Sequence, residues 1–296
     1  MGPFEYLEPS TIEEVLDLLG KFGDQAKLMA GGTDLTPMMK EKTATPQYVI
    51  SLQGCSANLN YIRCDDGKGA QIAALTTIRD IERSHHLQPE YTVLCETASQ
   101  LASMPIRNMA TIGGNLCNAS PSADTAPTLI ALSATVKLVS TNGERIVPLE
   151  QFFTGPGLTV LKSNELMTEI QVPAPSTYSG GVYVKYSTRG GQDLALVGIA
   201  VLVALDPKHE VCTHTRVVLG AAAPTPMRSH EAEEILTGRR VDEQLIARAA
   251  QAASDESRPI ADIRGSAEYR REMIKVFTGC AIRQAVERAQ SAARSQ

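Results

Sequence analysis

The order of secondary structure in the second half of the chain limits the folds open to it. Strand-like runs separated by short polar turns cover residues 181–187, 194–206 and 211–223. Helical stretches follow them at residues 229–238, 242–254 and 266–290. Strands that come first and are then covered by helices are typical of an α+β module. We therefore expect a three-stranded sheet packed against helices.

The first half of the chain alternates shorter elements. Apolar residues recur at helical spacing over residues 10–24, where Ser10 or Thr11 can cap the first turn. The remaining predictions are a helix at about 91–103 and strands at 27–30, 48–52, 70–75, 134–140, 144–147 and 165–173. Strand, helix and strand in short alternation predict small α/β lobes.

A cluster of Pro, Ser and Gly separates the two halves. This stretch, PAPSTYSGG at residues 173–181, predicts a linker between domains. We expect an α+β chain of two domains, with boundaries at residues 1–176 (lobes of about 1–56 and 57–176) and 181–290.

Charge and hydropathy exclude several classes of protein. A net charge of −5 is opposite to the basic surplus of a nucleic-acid-binding protein, so no nucleic-acid partner is expected. The longest apolar run, residues 194–205, is shorter than the ~20 residues of a membrane-spanning helix. The first ten residues have no basic region followed by an apolar one, as a signal peptide has. These features predict a cytoplasmic protein without a membrane span.

The cysteines give no sign of a metal centre. The chain has six, and no two of them form a CxxC pair. Neither an iron–sulfur cluster nor a zinc site within this chain is therefore expected. Reduced thiols are the interpretation that fits a cytosolic protein.

Two glycine pairs lie in polar surroundings, AGGTD at residues 30–34 and TIGGN at residues 111–115. Taken singly, each pair is typical of a turn, and neither the Rossmann nor the P-loop glycine pattern is present. Glycine lets a backbone approach a diphosphate, and Asp124 could accept hydrogen bonds from ribose hydroxyls. Because the chain is acidic, backbone N–H groups would have to hold such an anion. Two facing loops could therefore clamp a dinucleotide without a lysine.

These motifs together resemble a known family. AGGTDL, TIGGNLCNASPSAD and the later VKYSTRGGQD at residues 184–193 are similar to the FAD-binding, medium subunits of molybdenum hydroxylases such as xanthine dehydrogenase and carbon monoxide dehydrogenase. The resemblance covers essentially the whole chain. It implies a two-lobed FAD-binding domain of the vanillyl-alcohol oxidase and p-cresol methylhydroxylase type, followed by an α+β C-terminal domain.

The resemblance also implies which residues bind FAD. The residues that match the family's binding positions are Leu28, Met29, Ala30, Gly31, Gly32, Thr33, Asp34, Leu35, Thr111, Ile112, Gly113, Gly114, Asn115, Cys117, Asp124, Leu166 and Lys185. The amides of residues 30–35 would cradle the pyrophosphate, and residues 111–115 would form the opposing cradle. Asp124 would bind a ribitol or ribose hydroxyl, and Leu166 and Met167 would contact the adenine or flavin edge.

Several positions keep a second interpretation. Lys185 matches a lysine near the flavin ring, where a cation could stabilise the N1–C2=O region, but it could equally be a solvated strand lysine. Cys117 is expected to be a small packing residue, with a redox or covalent role as the alternative. Arg189 and Asp193 are expected to order the turn between two strands.

The function implied is electron transfer within a heteromeric complex. The expected partners are a molybdopterin-binding large subunit and a small subunit with two [2Fe-2S] clusters, in a complex that could form a dimer of heterotrimers. This chain would pass electrons to an acceptor that the sequence does not identify. The alternatives are a self-sufficient flavin oxidase or dehydrogenase of the same fold, and a non-enzymatic nucleotide-binding module.

Overall fold

The computed structural model describes residues 2–65, 67–88, 90–188, 190 and 192–294. Its strands are β1 (Glu5–Leu7), β2 (Ala26–Met29), β3 (Tyr48–Ser51), β4 (Ile62–Asp65), β5 (Gly69–Ala73), β6 (Thr135–Ser140), β7 (Gly143–Pro148), β8 (Phe153–Gly155), β9 (Leu158–Thr159), β10 (Leu166–Val172), β11 (Ser179–Tyr186), β12 (Val197–Leu205), β13 (Cys212–Gly220) and β14 (Met227–Arg228). Its α-helices are α1 (Ile12–Phe22), α2 (Leu35–Lys40), α3 (Ser56–Leu59), α4 (Ile78–Glu82), α5 (Thr92–Gln100), α6 (Met104–Arg107), α7 (Ile112–Asn118), α8 (Thr125–Ala131), α9 (His230–Leu236), α10 (Glu243–Glu256) and α11 (Ala267–Arg294).

A small parallel sheet of order β1-β3-β2 forms the first lobe. Helix α1 covers it with its apolar stripe, of which Val15 is fully buried. The predicted cap is confirmed at Thr11, whose hydroxyl accepts from the Glu14 N–H at 3.2 Å, and the Glu14 carboxylate in turn accepts from the Ser10 N–H at 2.7 Å. The cap starts the helix where the sequence indicated.

An antiparallel sheet of order β4-β5-β10-β6-β7 forms the second lobe. Helices α5, α7 and α8 pack with it in one apolar core, which includes the fully buried Leu94, Ile112 and Leu129. The strands predicted at 134–140 and 144–147 form a hairpin, since β6 and β7 pair up to Ser140 and Gly143. A further pair of short strands, β8 and β9, lies beside this sheet's core.

The C-terminal sheet has the order β11-β12-β13-β14 and is antiparallel throughout. The sequence predicted three strands; β14 is a fourth, and its two residues are too few to produce an apolar period. Helices α9, α10 and α11 share a core with one face of the sheet. The other face meets the second lobe, where a Cβ atom on Gly220 would lie 2.7 Å from Pro127 Cγ.

Several predicted boundaries differ from the structure. The helix predicted to residue 103 ends at Gln100, and Ala102 then takes a left-handed φ of +43° that no helix continues. Strand β11 begins at Ser179, inside the predicted linker. Helices α7 and α8 were not predicted, because glycine in the first and proline in the second mask their helical character.

Candidate functional site

The first glycine loop, residues 30–35, connects β2 to the first turn of α2. Gly32 has a φ of +70°, which glycine adopts without the steric cost that other residues meet. Gly31 lies so close to a distant segment that a Cβ atom would stand 1.7 Å from the carbonyl oxygen of Met109. One glycine is therefore required for its backbone angle and the other for space.

The backbone N–H groups of this loop are not used in the hydrogen bonds of the local structure. Across the described part of the chain, no N–H of residues 30–35 donates a hydrogen bond to a protein acceptor. The loop is half-buried at Gly31, Gly32 and Thr33. Successive unpaired N–H groups around a left-handed residue form a concave anion-binding site. This loop can therefore hold a phosphate group with its backbone alone.

Asp34 is the one acidic side chain of the first glycine loop. It occupies the N-cap position of α2 but makes no capping hydrogen bond. Burial raises its pKa although the residue as a whole is exposed, because the loop shields the carboxyl group from part of its water. The carboxyl group therefore takes up a proton at a higher pH than an ordinary aspartate.

The second glycine loop, residues 111–115, forms the first turn of α7. The Thr111 hydroxyl caps it by accepting from the Gly114 N–H at 3.1 Å. The neighbouring N–H groups are also engaged, with distances of 3.0 Å from Ile112 to the Thr76 carbonyl, 2.9 Å from Gly113 to the Ala74 carbonyl and 2.9 Å from Asn115 to the Thr111 carbonyl. The N–H groups of Ile112 and Gly113 thus fasten the loop to the residues that follow β5, and those of Gly114 and Asn115 close its own first turn on Thr111. An opposing cradle formed by residues 111–115 stays a prediction.

The two glycine loops lie side by side, as the sequence predicted. A Cβ atom on Gly114 would stand 3.9 Å from the Cβ of Ala30. The Gly31 contact with Met109 joins the first loop to the segment that leads into the second. Since Gly114 has no side chain, the second loop can approach Ala30 of the first loop this closely.

A buried polar cluster follows the second loop. The Asp124 carboxylate accepts from Lys185 Nζ at 2.9 Å and from the Tyr183 hydroxyl at 2.7 Å. The exposed fractions of the Lys185 and Asp124 side chains are 3% and 7%. Burial raises the pKa of Asp124, and the bonds from Lys185 and Tyr183 offset part of that rise. Lys185 is therefore not a solvated strand lysine.

This pairing changes the interpretation of Asp124 and Lys185. Each Asp124 oxygen already accepts one hydrogen bond, and Lys185 Nζ also donates to the Gln100 carbonyl at 3.0 Å. The cluster joins the C-terminal sheet to the start of α8 and the end of α5. Asn115 is tied to the same place, because its side-chain oxygen accepts from the Thr125 hydroxyl at 2.5 Å.

The other predicted contacts are apolar side chains that pack in or against the cores. Leu166 and Met167 each keep 2% of their surface exposed and pack in two different apolar cores, so their side chains offer a ligand almost no surface. Leu28 packs against the core of the first lobe, and Met29 and Leu35 are half-buried.

Cys117 packs against the core of the second lobe. Burial raises the pKa of its thiol to about 12. The thiol is therefore protonated at neutral pH, which favours the packing role over a redox or covalent one.

The turn between β11 and β12 is described only in part. Arg189 lies outside the described residues. Asp193 helps to order the turn, since its N–H donates to the Gly190 carbonyl at 3.1 Å and its carboxylate accepts from the Thr188 hydroxyl at 3.4 Å.

Sequence reasoning missed three residues that shape the site. Tyr183 reaches Asp124 because Gly198 has no Cβ, which would stand 2.7 Å from the tyrosine hydroxyl. The period of two along β11 places Tyr183 on the same face as Lys185 and could have indicated it. The carbonyls of Gln100 and Met109 contribute through the backbone, which leaves no signal in residue types.

Comparison with known proteins identifies the family. Residues 2–175 match the model of the FAD binding domain in molybdopterin dehydrogenase. The chain belongs to this FAD-binding family. Residues 182–285 match the CO dehydrogenase flavoprotein C-terminal domain. The predicted family, the oxidoreductase class and FAD as cofactor are thereby confirmed.

Individual relatives cover almost the whole chain. The carbon monoxide dehydrogenase medium chain of Hydrogenophaga pseudoflava is 36% identical over 91% of this chain and 92% of its own length. The xanthine dehydrogenase FAD-binding subunit of Escherichia coli O157:H7 is 30% identical over 95% of each.

A solved structure shows the same fold. It is a carbon monoxide dehydrogenase from Hydrogenophaga pseudoflava that lacks the Mo-pyranopterin moiety of its molybdenum cofactor. The TM-score is 0.93 at 35% sequence identity, over 97% of this chain and 98% of that one. The predicted α+β class, an FAD-binding domain followed by a C-terminal domain, is confirmed. No helix among the described residues has the length and apolar character to cross a membrane.

Proposed function

We propose that this chain is the electron-transfer subunit of a heteromeric molybdenum hydroxylase. A molybdopterin-binding large subunit would oxidise the substrate, and a small subunit with two [2Fe-2S] clusters would pass the electrons to this chain. This chain would then deliver them to an external acceptor. The observation that carries the proposal is the set of backbone N–H groups of the first glycine loop that have no protein acceptor in the described structure, with the second glycine loop close beside them at Gly114.

The chain's own residues would bind and orient the cofactor. FAD supplies transfer of electrons singly or in pairs when bound. The N–H groups of residues 31–35 would hold its diphosphate, which an acidic chain with a net charge of −5 does not attract by bulk charge. Gly114 would leave room for the diphosphate. Lys185, fixed by Asp124 and the Gln100 carbonyl, would present a positive charge in the wall of the site.

The chemistry of the neighbouring side chains supports a relay over a substrate-processing enzyme. Burial raises the pKa of Tyr183 well above its usual range, and the nearby Asp124 raises it further. The Cys117 thiol is protonated at neutral pH. Among the described residues around the two loops, Asp124 and Lys185 are paired with each other. None of these groups is an available nucleophile or general base.

The names of the relatives support the proposal that this chain works with partner subunits. They include medium chains of carbon monoxide dehydrogenase and a subunit of a 6-hydroxypseudooxynicotine dehydrogenase complex, and one solved relative is a Cu,Mo-CO dehydrogenase. The dimer of heterotrimers, the acceptor and the cytoplasmic location stay predictions.

The proposal is tested by purifying the chain from its native cells under mild conditions. We expect flavin absorbance at about one FAD per chain, with iron and molybdenum in the copurified subunits. Reducing the iron–sulfur partner should then bleach the flavin absorbance before an external acceptor is added.

Two outcomes would contradict the proposal. Flavin without iron, molybdenum or partner subunits would indicate a self-sufficient oxidase or dehydrogenase. A colourless protein that takes up no FAD would indicate a nucleotide-binding module.

A further inference from the structure

Arg107 lies between the two glycine loops, on the single turn of α6. Its side chain is 12% exposed, and Nε donates to Glu82 Oε2 at 2.8 Å. Its Nη1 donates to two backbone carbonyls, those of Leu101 at 3.0 Å and Ala102 at 2.8 Å. One side chain therefore ties α4 to the turn between α5 and α6.

The turn that Arg107 holds is not one that the backbone prefers. Ala102 has a φ of +43°, in the left-handed region that costs free energy for any residue with a Cβ. The carbonyls on both sides of this strained position accept from the guanidinium group. Arginine holds both carbonyls through Nη1 while Nε holds Glu82, and a lysine ammonium, with a single nitrogen, does not span these acceptors in the same geometry.

Both ends of the segment that contains this turn contact the candidate site. At its start, the Gln100 carbonyl accepts from Lys185 Nζ at 3.0 Å. At its end, the Met109 carbonyl lies against Gly31, where an added Cβ atom would stand 1.7 Å from the carbonyl oxygen. The path of residues 100–109 thus sets the distance between the first glycine loop and the Lys185–Asp124 pair.

We propose that Arg107 is a positioning residue for the flavin nucleotide. It acts through the backbone of residues 100–109, which it fixes in the one path that serves both the phosphate-binding loop and Lys185. This inference rests on the proposed function, since it concerns the same site. Arg107 differs from the residues matched to the family because it is assigned by its contacts alone.

A neighbouring arginine provides a matched control. Arg79 Nη1 also bonds Glu82, at 2.8 Å, and its side chain is 26% exposed. It has no hydrogen bond to the turn at residues 101–102 in the described structure. Arg79→Met therefore removes one positive charge that pairs with Glu82, as Arg107→Met does, but it leaves the hydrogen bonds to the turn at residues 101–102 in place.

The experiment compares Arg107→Met, Arg107→Lys and Arg79→Met in the full chain. FAD is removed and added back, and the dissociation constant, the flavin visible circular dichroism and the reduction potential are measured. We expect Arg107→Met to weaken FAD binding about tenfold, a loss of ~1.4 kcal/mol. We also expect its potential and dichroism to change because Lys185 is no longer held, with Arg107→Lys intermediate and Arg79→Met within about twofold of the wild type.

A structural role alone would give a different pattern. If urea unfolding shows Arg107→Met destabilised while its folded fraction binds FAD with wild-type affinity, dichroism and potential, the positioning role is wrong. Equal effects of Arg79→Met would also overturn it. If Arg107→Met does not fold, two other measurements decide: FAD binding by Arg107→Lys, and the effect of added guanidinium on FAD binding by Arg107→Ala. Normal FAD binding by Arg107→Lys, together with no effect of guanidinium on Arg107→Ala, would contradict the inference. Failure of the wild type to take up FAD would instead refute the proposed function.

Discussion

The two glycine loops look alike in the sequence but use their backbones in opposite ways. In the first, residues 30–35 keep their N–H groups free of protein acceptors within the described chain. In the second, the N–H groups from Ile112 to Asn115 all donate to protein oxygens. A glycine pair therefore indicates a binding loop only where amide groups remain after local structure has formed.

The local surroundings explain the difference. The second loop lies against the end of β5, whose following residues Ala74 and Thr76 offer carbonyls to it. The first loop leaves β2, which is an edge strand of its sheet and has no neighbour on that side. We infer that the first loop binds and that the second supports it.

The supporting role predicts the largest effect for the polar cluster beside the second loop. Lys185→Met should destabilise the flavin-free protein by about 3 kcal/mol, because it leaves the buried Asp124 carboxylate without its cation. The free energy of unfolding in urea measures this.

The exposed pair of Lys137 and Glu144, with exposed side-chain fractions of 29% and 58%, gives the control. Lys137→Met should cost under about 1 kcal/mol. Adding Asp124→Asn to Lys185→Met should cost less than the sum of the two single changes. If Lys185→Met and Lys137→Met lowered the free energy of unfolding equally, the stabilising role of the buried Lys185–Asp124 pair would be contradicted.

Gly31→Ala should affect both stability and binding. Its Cβ would stand 1.7 Å from a backbone oxygen, so the first loop must move away from Met109 at a cost of about 3 kcal/mol. We expect flavin absorbance to be lost on purification. Gly20→Ala in α1, where a Cβ meets nothing within 4 Å, should instead be neutral or stabilising by up to about 1 kcal/mol. Normal flavin content in Gly31→Ala would break the comparison between the loops.

Substitutions at Gly114 and Thr111 distinguish two roles of the second loop, leaving space beside Ala30 and capping α7. A Cβ there would stand 2.9 Å from the Thr111 hydroxyl oxygen, so the cap should weaken by about 1 kcal/mol. Thr111→Val removes the same cap without filling the space beside Ala30. If the second loop contributes open space, Gly114→Ala should lower FAD affinity more than Thr111→Val does, and Gly114→Val should abolish retention. Equal losses in Gly114→Ala and Thr111→Val would show that only the cap matters.

The smallest effect concerns pH and the first loop. Burial raises the pKa of Asp34 above its usual 3.8, so its negative charge is lost as pH falls through that raised value. Removing a like charge beside the diphosphate should tighten FAD binding in this range, by about threefold for an exposed carboxylate. Titration of FAD binding between neutral and acidic pH measures the effect. Asp34→Asn should remove this part of the pH dependence, and an unchanged profile would show that Asp34 is remote from the anion.

Local patterns predicted much of the fold. The capping residues Thr11 and Glu14 marked the start of α1, and the apolar run that became β12 was long enough to identify a buried strand. Such signals lie within a few residues of the structure that they produce. The proximity of the two glycine loops also followed from their residues and from the family resemblance.

The rest depends on contacts between distant residues. Asp124 and Lys185 were each predicted to contact the cofactor, but their mutual ion pair joins two domains and has no local signal. The amides of the second loop are engaged partly by its own Thr111 and partly by the carbonyls of Ala74 and Thr76, which lie about forty residues earlier in the chain. Arg107 was not singled out, because its partners are mostly backbone oxygens.

The C-terminal sheet belongs to two cores at once. Along β11, Tyr183 packs with the second lobe while Val182 packs with the terminal helices, and Ala200 and Ile199 divide in the same way on β12. Cutting the chain at the linker would expose apolar surface on both pieces. The nucleotide-binding half is thus completed by residues that follow it in the chain, since Tyr183 and Lys185 of β11 reach Asp124 only after this strand has been synthesised.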